Sequence, residues 1–131
     1  MNASRKTRGL LSIETRTDRQ RAVLRLAGDA DMASASLLRE EVERLQRAGA
    51  AHVIIDLREL RFIDSAGIHV LVAGHRPCAG ARLSIVLGRP AVRRALELCG
   101  VLEHIEVLDP AALAALADDD TDSDPRPEPV G

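Results

Sequence analysis

The amino-acid sequence predicts an α/β domain, a mixed sheet of about five strands that opens with an antiparallel hairpin, continues in parallel and is packed with four helices. Three observations predict it. Two early stretches alternate apolar and polar residues. Later apolar runs are separated by segments with helical spacing. One of those runs, Val53 to Leu57, is apolar and β-branched on both alternations. A strand reached from another strand through a helix pairs with it in parallel by a crossover, which lays helices against the sheet.

Residues 1–9 precede the first alternation and are expected to be a flexible segment; the domain spans 10–117. Leu10 to Arg16 sets Leu11 and Ile13 against Ser12 and Glu14, and Ala22 to Ala27 continues the pattern up to Gly28, giving the hairpin. From Ser34 to Ala48, Leu38, Val42 and Leu45 recur at helical spacing, with Glu40 four residues before Arg44 and Glu43 four before Arg47. Gly49 follows as the helix cap. Val53 to Leu57 is then the central strand. A second helix is expected over Ser65 to Gly74 on Ile68, Leu71 and Val72, with Pro77 barring its extension. Arg82 to Leu87 is the next strand. Pro90 opens a third helix with Val92, Leu96 and Cys99 on one face and Gly100 past its end. Ile105 to Leu108 is a last short strand, and Asp109 with Pro110 opens a fourth helix to Ala117. The remainder, 118–131, is acidic, rich in Pro and lacks large apolar residues, so it is expected to be a disordered tail.

Composition narrows the function. In 131 residues, 46% hydrophobic, Phe62 is the single aromatic, so the core is built from Leu, Val, Ile and Ala. The net charge of -2 leaves no basic stripe for a phosphate backbone, and the early arginines Arg8, Arg16, Arg19 and Arg21 alternate with other residues, so nucleic acid is not an expected partner. No run of about 18 apolar residues occurs, nor a signal-like leader, which predicts a cytoplasmic protein without membrane association. Cys78 and Cys99 read as free thiols. His52, His69, His75 and His104 have no metal-site spacing, and neither a phosphate loop of the Walker type nor a dinucleotide fingerprint is present, so no metal and no cofactor is expected.

The informative stretch is Val53 to Val72, where a buried strand passes through a short polar connection into a helix. Asp64 is suited to cap that helix, since its carboxylate can accept from first-turn amides at the positive end of the macrodipole. Ser65 then lies in the first turn, where a phosphate carrying a charge of about -1.5 to -2 is tolerated by the helix yet obstructs any protein packed against it. Ala66 and Gly67 look like a small-residue platform for close approach. From the residues alone, the better account is that Ser65 is an ordinary exposed serine and Gly67 a helix imperfection costing about 1 kcal/mol relative to Ala. Ser34, Ser36 and Ser84 read as structural serines.

The run IDSAGI preceded by VIIDLREL resembles the signature of STAS domains, specifically anti-sigma factor antagonists, with its Asp-Ser-(Ser, Thr or Ala)-Gly-(Leu or Ile) motif. Gly28-Asp29-Ala30-Asp31 resembles the family's turn after the second strand, and Arg89 to Val92 through Leu98 to Leu102 its third helix and following turn. The resemblance spans roughly Leu10 to Leu116 and implies a STAS-like fold. Ala30 is smaller than the family's usual Leu or Ile, and His69, His75 and Pro77 depart from the pattern, which bears on partner identity and on the length of the second helix.

The resemblance implies partner switching. The unmodified protein binds an anti-sigma factor, itself a Ser/Thr kinase, and so releases a sigma factor; phosphorylation of Ser65 breaks the contact and a Ser/Thr phosphatase restores it. The expected contact residues are Asp29, Asp31, Asp64, Ser65, Ala66, Gly67 and His69, on a protein that is a monomer or weak dimer and a kinase substrate, not an enzyme. An alternative keeps the fold without phosphorylation, as an interaction module in a stressosome or lipid-transport complex. An enzyme built on Ser65, His69 and His75 is disfavoured, because the serine is not in a nucleophile elbow and the histidine has no evident orienting acid.

Overall fold

The computed structural model describes residues 2–75 and 82–122, with side chains for 3–75 and 82–116. In chain order these form β1 (Asn2–Arg8), β2 (Leu11–Asp18), β3 (Arg21–Ala30), α1 (Ala35–Arg47), β4 (His52–Ile63), α2 (Ser65–Gly74), β5 (Arg82–Val86), α3 (Pro90–Leu98), a 3-10 turn (Val101–Glu103), β6 (Glu106–Leu108) and α4 (Pro110–Asp122). The strands make one sheet in the order β1-β2-β3-β4-β5-β6. The first two neighbours pair antiparallel and the remaining three in parallel. The mixed α/β architecture is therefore as read from the sequence, with six strands in place of about five.

The added strand is β1, which occupies the segment expected to be flexible. Its sequence, NASRKTR, has no apolar alternation because its described side chains are all exposed. What holds it is a ladder to β2 from Asn2 opposite Thr17 to Arg8 opposite Leu11, together with ion pairs to α1. Its Arg5, Lys6 and Arg8 also charge the sheet edge, which discourages further strand pairing. Two other boundaries shift. β4 continues through the stretch read as a polar connection: after register shifts beside Ala27 and Asp29, Leu60 pairs with Gly28 and Ile63 with Ala30. Backbone pairing needs no apolar side chain, so Arg58, Glu59, Arg61 and Phe62 stay exposed along it. α4 runs to Asp122, past the expected end at Ala117, while 123–131, like Pro77 and Cys78, fall outside the described residues.

One face of the sheet carries the core. Leu11, Ile13, Leu24, Leu26, Val53, Ile55 and Leu57 pack against Leu38 and Val42 of α1, Ile68 and Leu71 of α2, and Val92 and Leu96 of α3. At about 25 cal/mol per Å² of apolar surface, this burial is the main stabilising term. The opposite face is more polar, and α4 lies over it, bordering a groove of about 540 Å³ with Val23, Ile54 and Arg58. On that face His52 Nε2 stands 2.8 Å from the buried Ser84 hydroxyl, which donates to Glu106 (2.6 Å), itself held by Arg82. Burial lowers the His52 pKa, so the ladder holds a neutral imidazole.

α1 shows why charge spacing misleads. Arg44 does not pair with Glu40, as its spacing suggests, but with Glu41 (2.8 Å), whose carboxylate is buried and also accepts from Lys6 Nζ (2.9 Å) and Thr15 Oγ1 (2.6 Å). Glu40 meets Arg8 of β1 instead. A buried carboxylate needs donors more than an exposed one does, and the fold supplies them from three elements. The Arg44 hydrogen bonds chiefly, with those of Thr15 and Lys6, lower the Glu41 pKa from 4.5 to about 2. A depressed folded-state pKa gives stability that is complete above pH 4.5 and is lost as pH falls toward 2. Glu41→Gln is expected to lower stability at pH 7 by about 1–3 kcal/mol and to flatten this acid dependence, as read by urea titrations from pH 7 to 2.5. An unchanged acid profile would show that Glu41 does not carry it.

Candidate functional site

The residues singled out in the sequence meet where β3 and β4 end, on the loop into α1 and the first turns of α2. Asp64 leaves the extended backbone and caps α2: its Oδ1 accepts from the amides of Ala66 (2.9 Å) and Gly67 (3.3 Å), while its own amide donates to the Ala30 carbonyl (3.2 Å). Its second oxygen, Oδ2, accepts from the amide of Met32 (3.1 Å), so one carboxylate ties the α2 start to the loop after β3. Ser65 is exposed, and its hydroxyl has no hydrogen-bond partner among the described residues. His69 and Val72 continue its exposed stripe at helical spacing.

Two first-turn amides are thus already occupied by Asp64. An anion on Ser65 would stand beside a carboxylate instead of seating on free helix donors, so the electropositive helix end read from the sequence is largely spent internally.

Asp31 shapes the neighbouring loop from within. Its Oδ1 accepts from the Ala33 amide (3.0 Å) and lies 2.9 Å from the hydroxyl of buried Ser34, which in turn accepts from the Asp31 amide (3.0 Å). Asp29 pairs with Arg61 across the β3–β4 ladder at 3.3 Å. Ala66 is half-buried and Gly67 buried; a Cβ on Gly67 would lie 2.8 Å from both the Ala30 carbonyl oxygen and Ile63 Cγ1. Glycine at 67 therefore answers to internal packing of α2 on β3 and β4, where the sequence suggested a platform for another protein.

Sequence reasoning missed the apolar part of this end. Met32 is 83% exposed, Leu10 63% and Phe62 49%. The Leu10 carbonyl accepts from the Asp29 amide and Phe62 pairs with Asp29 in the ladder, so both lie at the strand ends beside Asp29. The single aromatic of a chain is ordinarily read as core, and only the strand ends placing it in solvent reveal otherwise.

No hydrogen bond joins Ser65 to His69 among the described residues, so the pair lacks the nucleophile–base contact that acyl-transfer chemistry needs. Ser84, the serine that does stand beside a histidine, is sealed from solvent and its proton goes to Glu106. Among the described residues no group of three or more His, Cys, Asp or Glu side chains could hold a metal, and no helix is long and apolar enough to cross a membrane.

Residues 12–114 match the family model of the STAS domain. An anti-sigma F factor antagonist of Paenibacillus polymyxa is 26% identical over 102 residues, 76% of this chain and 87% of the relative. The crystal structure of an anti-sigma factor antagonist from Mycobacterium paratuberculosis superposes with a TM-score of 0.71 at 22% identity, over 82% of this chain and 92% of that one. The Bacillus cell fate determinant SpoIIAA in its phosphorylated form gives 0.64 at 20% identity, over 82% and 98%. These two likenesses concern the fold.

Proposed function

The chain belongs to the STAS domain family, and from that membership and the geometry around Ser65 we propose that it is an anti-sigma factor antagonist that works by switching partners in the cytoplasm. In its unmodified state it docks on an anti-sigma factor through the end of the molecule where Asp29, Asp31, Asp64 and Ser65 meet, and the sigma factor is released. The anti-sigma factor, acting as a Ser/Thr kinase, transfers the γ-phosphoryl group of ATP to Ser65: the Oγ–P bond forms, the bridge to ADP breaks and the hydroxyl proton leaves to a base on the kinase. Hydrolysis of the phosphoserine by a Ser/Thr phosphatase restores the docking state.

The observation that carries this reading is the exposed Ser65 hydroxyl at the first position of α2, without a hydrogen-bond partner among the described residues. A kinase can reach it without unfolding the domain, and the resulting dianion lands on the docking surface beside Asp64. The curated relative from Paenibacillus polymyxa supports the partner class. The test is incubation with the cognate anti-sigma factor and ATP followed by phosphosite mapping. Phosphate is expected on Ser65 and none on the Ser65→Ala chain; a stable complex with no phosphate at Ser65 would sink the switching mechanism.

A further inference from the structure

We propose that Met32 is the apolar anchor this protein inserts into an anti-sigma factor, and that Asp64 is the positioning residue that makes Met32 answer to the state of Ser65. This rests on the function proposed above and adds to it a contact residue and a route.

Single exposed apolar side chains are ordinary on protein surfaces. Met32 differs in two respects. It is 83% exposed. An unbranched thioether also fills an irregular apolar pocket well. The partner surface is accordingly an apolar pocket opposite Met32, next to the point where the kinase meets Ser65.

The second respect is the route. The Met32 amide donates to Asp64 Oδ2 across 32 positions of sequence, and Asp64 Oδ1 holds the amides of Ala66 and Gly67. The loop is otherwise closed on itself through Asp31 and Ser34. A phosphate on Ser65 places a charge of about -1.5 to -2 on the residue adjacent to this carboxylate. Like-charge repulsion favours turning the Asp64 side chain away, and turning it releases the Met32 amide. Phosphorylation then acts twice, by charge at the contact and by loosening the anchor.

Two measurements test this. Calorimetric titration of the anti-sigma factor is run with the wild type, Met32→Ala, Met32→Leu and Leu98→Ala, the last removing an exposed apolar side chain on α3. Met32→Ala is expected to weaken binding at least tenfold with an unchanged urea midpoint, Met32→Leu to keep most of the affinity, and Leu98→Ala to match the wild type. Amide exchange by NMR is compared before and after phosphorylation, with Met32 expected to exchange at least tenfold faster in the phosphorylated chain. Wild-type binding with Met32→Ala within twofold of it overturns the anchor and leaves the functional reading standing. Unaltered Met32 exchange after phosphorylation overturns the route through Asp64. If the wild type binds no anti-sigma factor, the functional reading and the inference both fail.

Discussion

Ser65→Asp is expected to weaken the complex with the anti-sigma factor at least about 100-fold while leaving the urea midpoint within experimental scatter of the wild type. A factor of 100 is about 2.7 kcal/mol, the size of effect that a desolvated, unpaired or like-sided charge produces in an interface. The fold is spared because the side chain at 65 is in solvent and makes no hydrogen bond among the described residues. The interface is not spared, because the Asp64 carboxylate stands next door and has taken two of the amides that would otherwise have received a new anion. Ser65→Ala should bind within about threefold of the wild type and remain bound in the presence of ATP. Titration of the variants in parallel checks this, and retention of wild-type affinity by Ser65→Asp would show that charge at this position does not control docking.

Gly28→Ala has the opposite profile, a large loss of stability. At Gly28 the backbone has φ +92°, and an ideal Cβ there would lie 1.8 Å from the Leu10 carbonyl oxygen. That oxygen cannot simply retreat, since it accepts the Asp29 amide at 3.1 Å at the end of the β2–β3 ladder, where Leu11 pairs with Gly28. The substitution combines a left-handed backbone with a backbone clash, mechanisms that together cost about 3 kcal/mol or more. With a urea slope of about 1–3 kcal/mol per M, the midpoint should fall by at least about 1 M. Relief of the clash would move Leu10 or Asp29, so anti-sigma binding should fall as well. A midpoint within about 0.3 M of the wild type would mean that the turn is far softer than its geometry implies.

Much of this could be read from residues taken a few at a time. The α1 periodicity on Leu38, Val42 and Leu45, the double-faced run Val53 to Leu57, the Asp64 cap and the exposed first-turn position of Ser65 all follow from spacings within one or two turns of chain. Gly28-Asp29-Ala30-Asp31 was legible as a family segment but was read as a turn, whereas Gly28 to Ala30 continue β3 in its ladder with β4. β1 was not, because its described side chains are all exposed and only the ladder to β2 and the contacts of Lys6 and Arg8 with α1 give it a place. Nor was the second half of β4, whose polar side chains hide a backbone that is fully paired with β3.

The chain alone therefore determined the order and kind of most elements, the first-turn place of Ser65 and the residue that caps its helix, since propensity, periodicity and capping are local. The tertiary structure alone decided which groups stand next to that serine. It filled the space above Gly67 with Ala30 and Ile63 and hung the exposed Met32 on the Asp64 carboxylate. Contacts between residues about 30 positions apart form only when the sheet brings its strand ends together, and no short-range pattern encodes that closure.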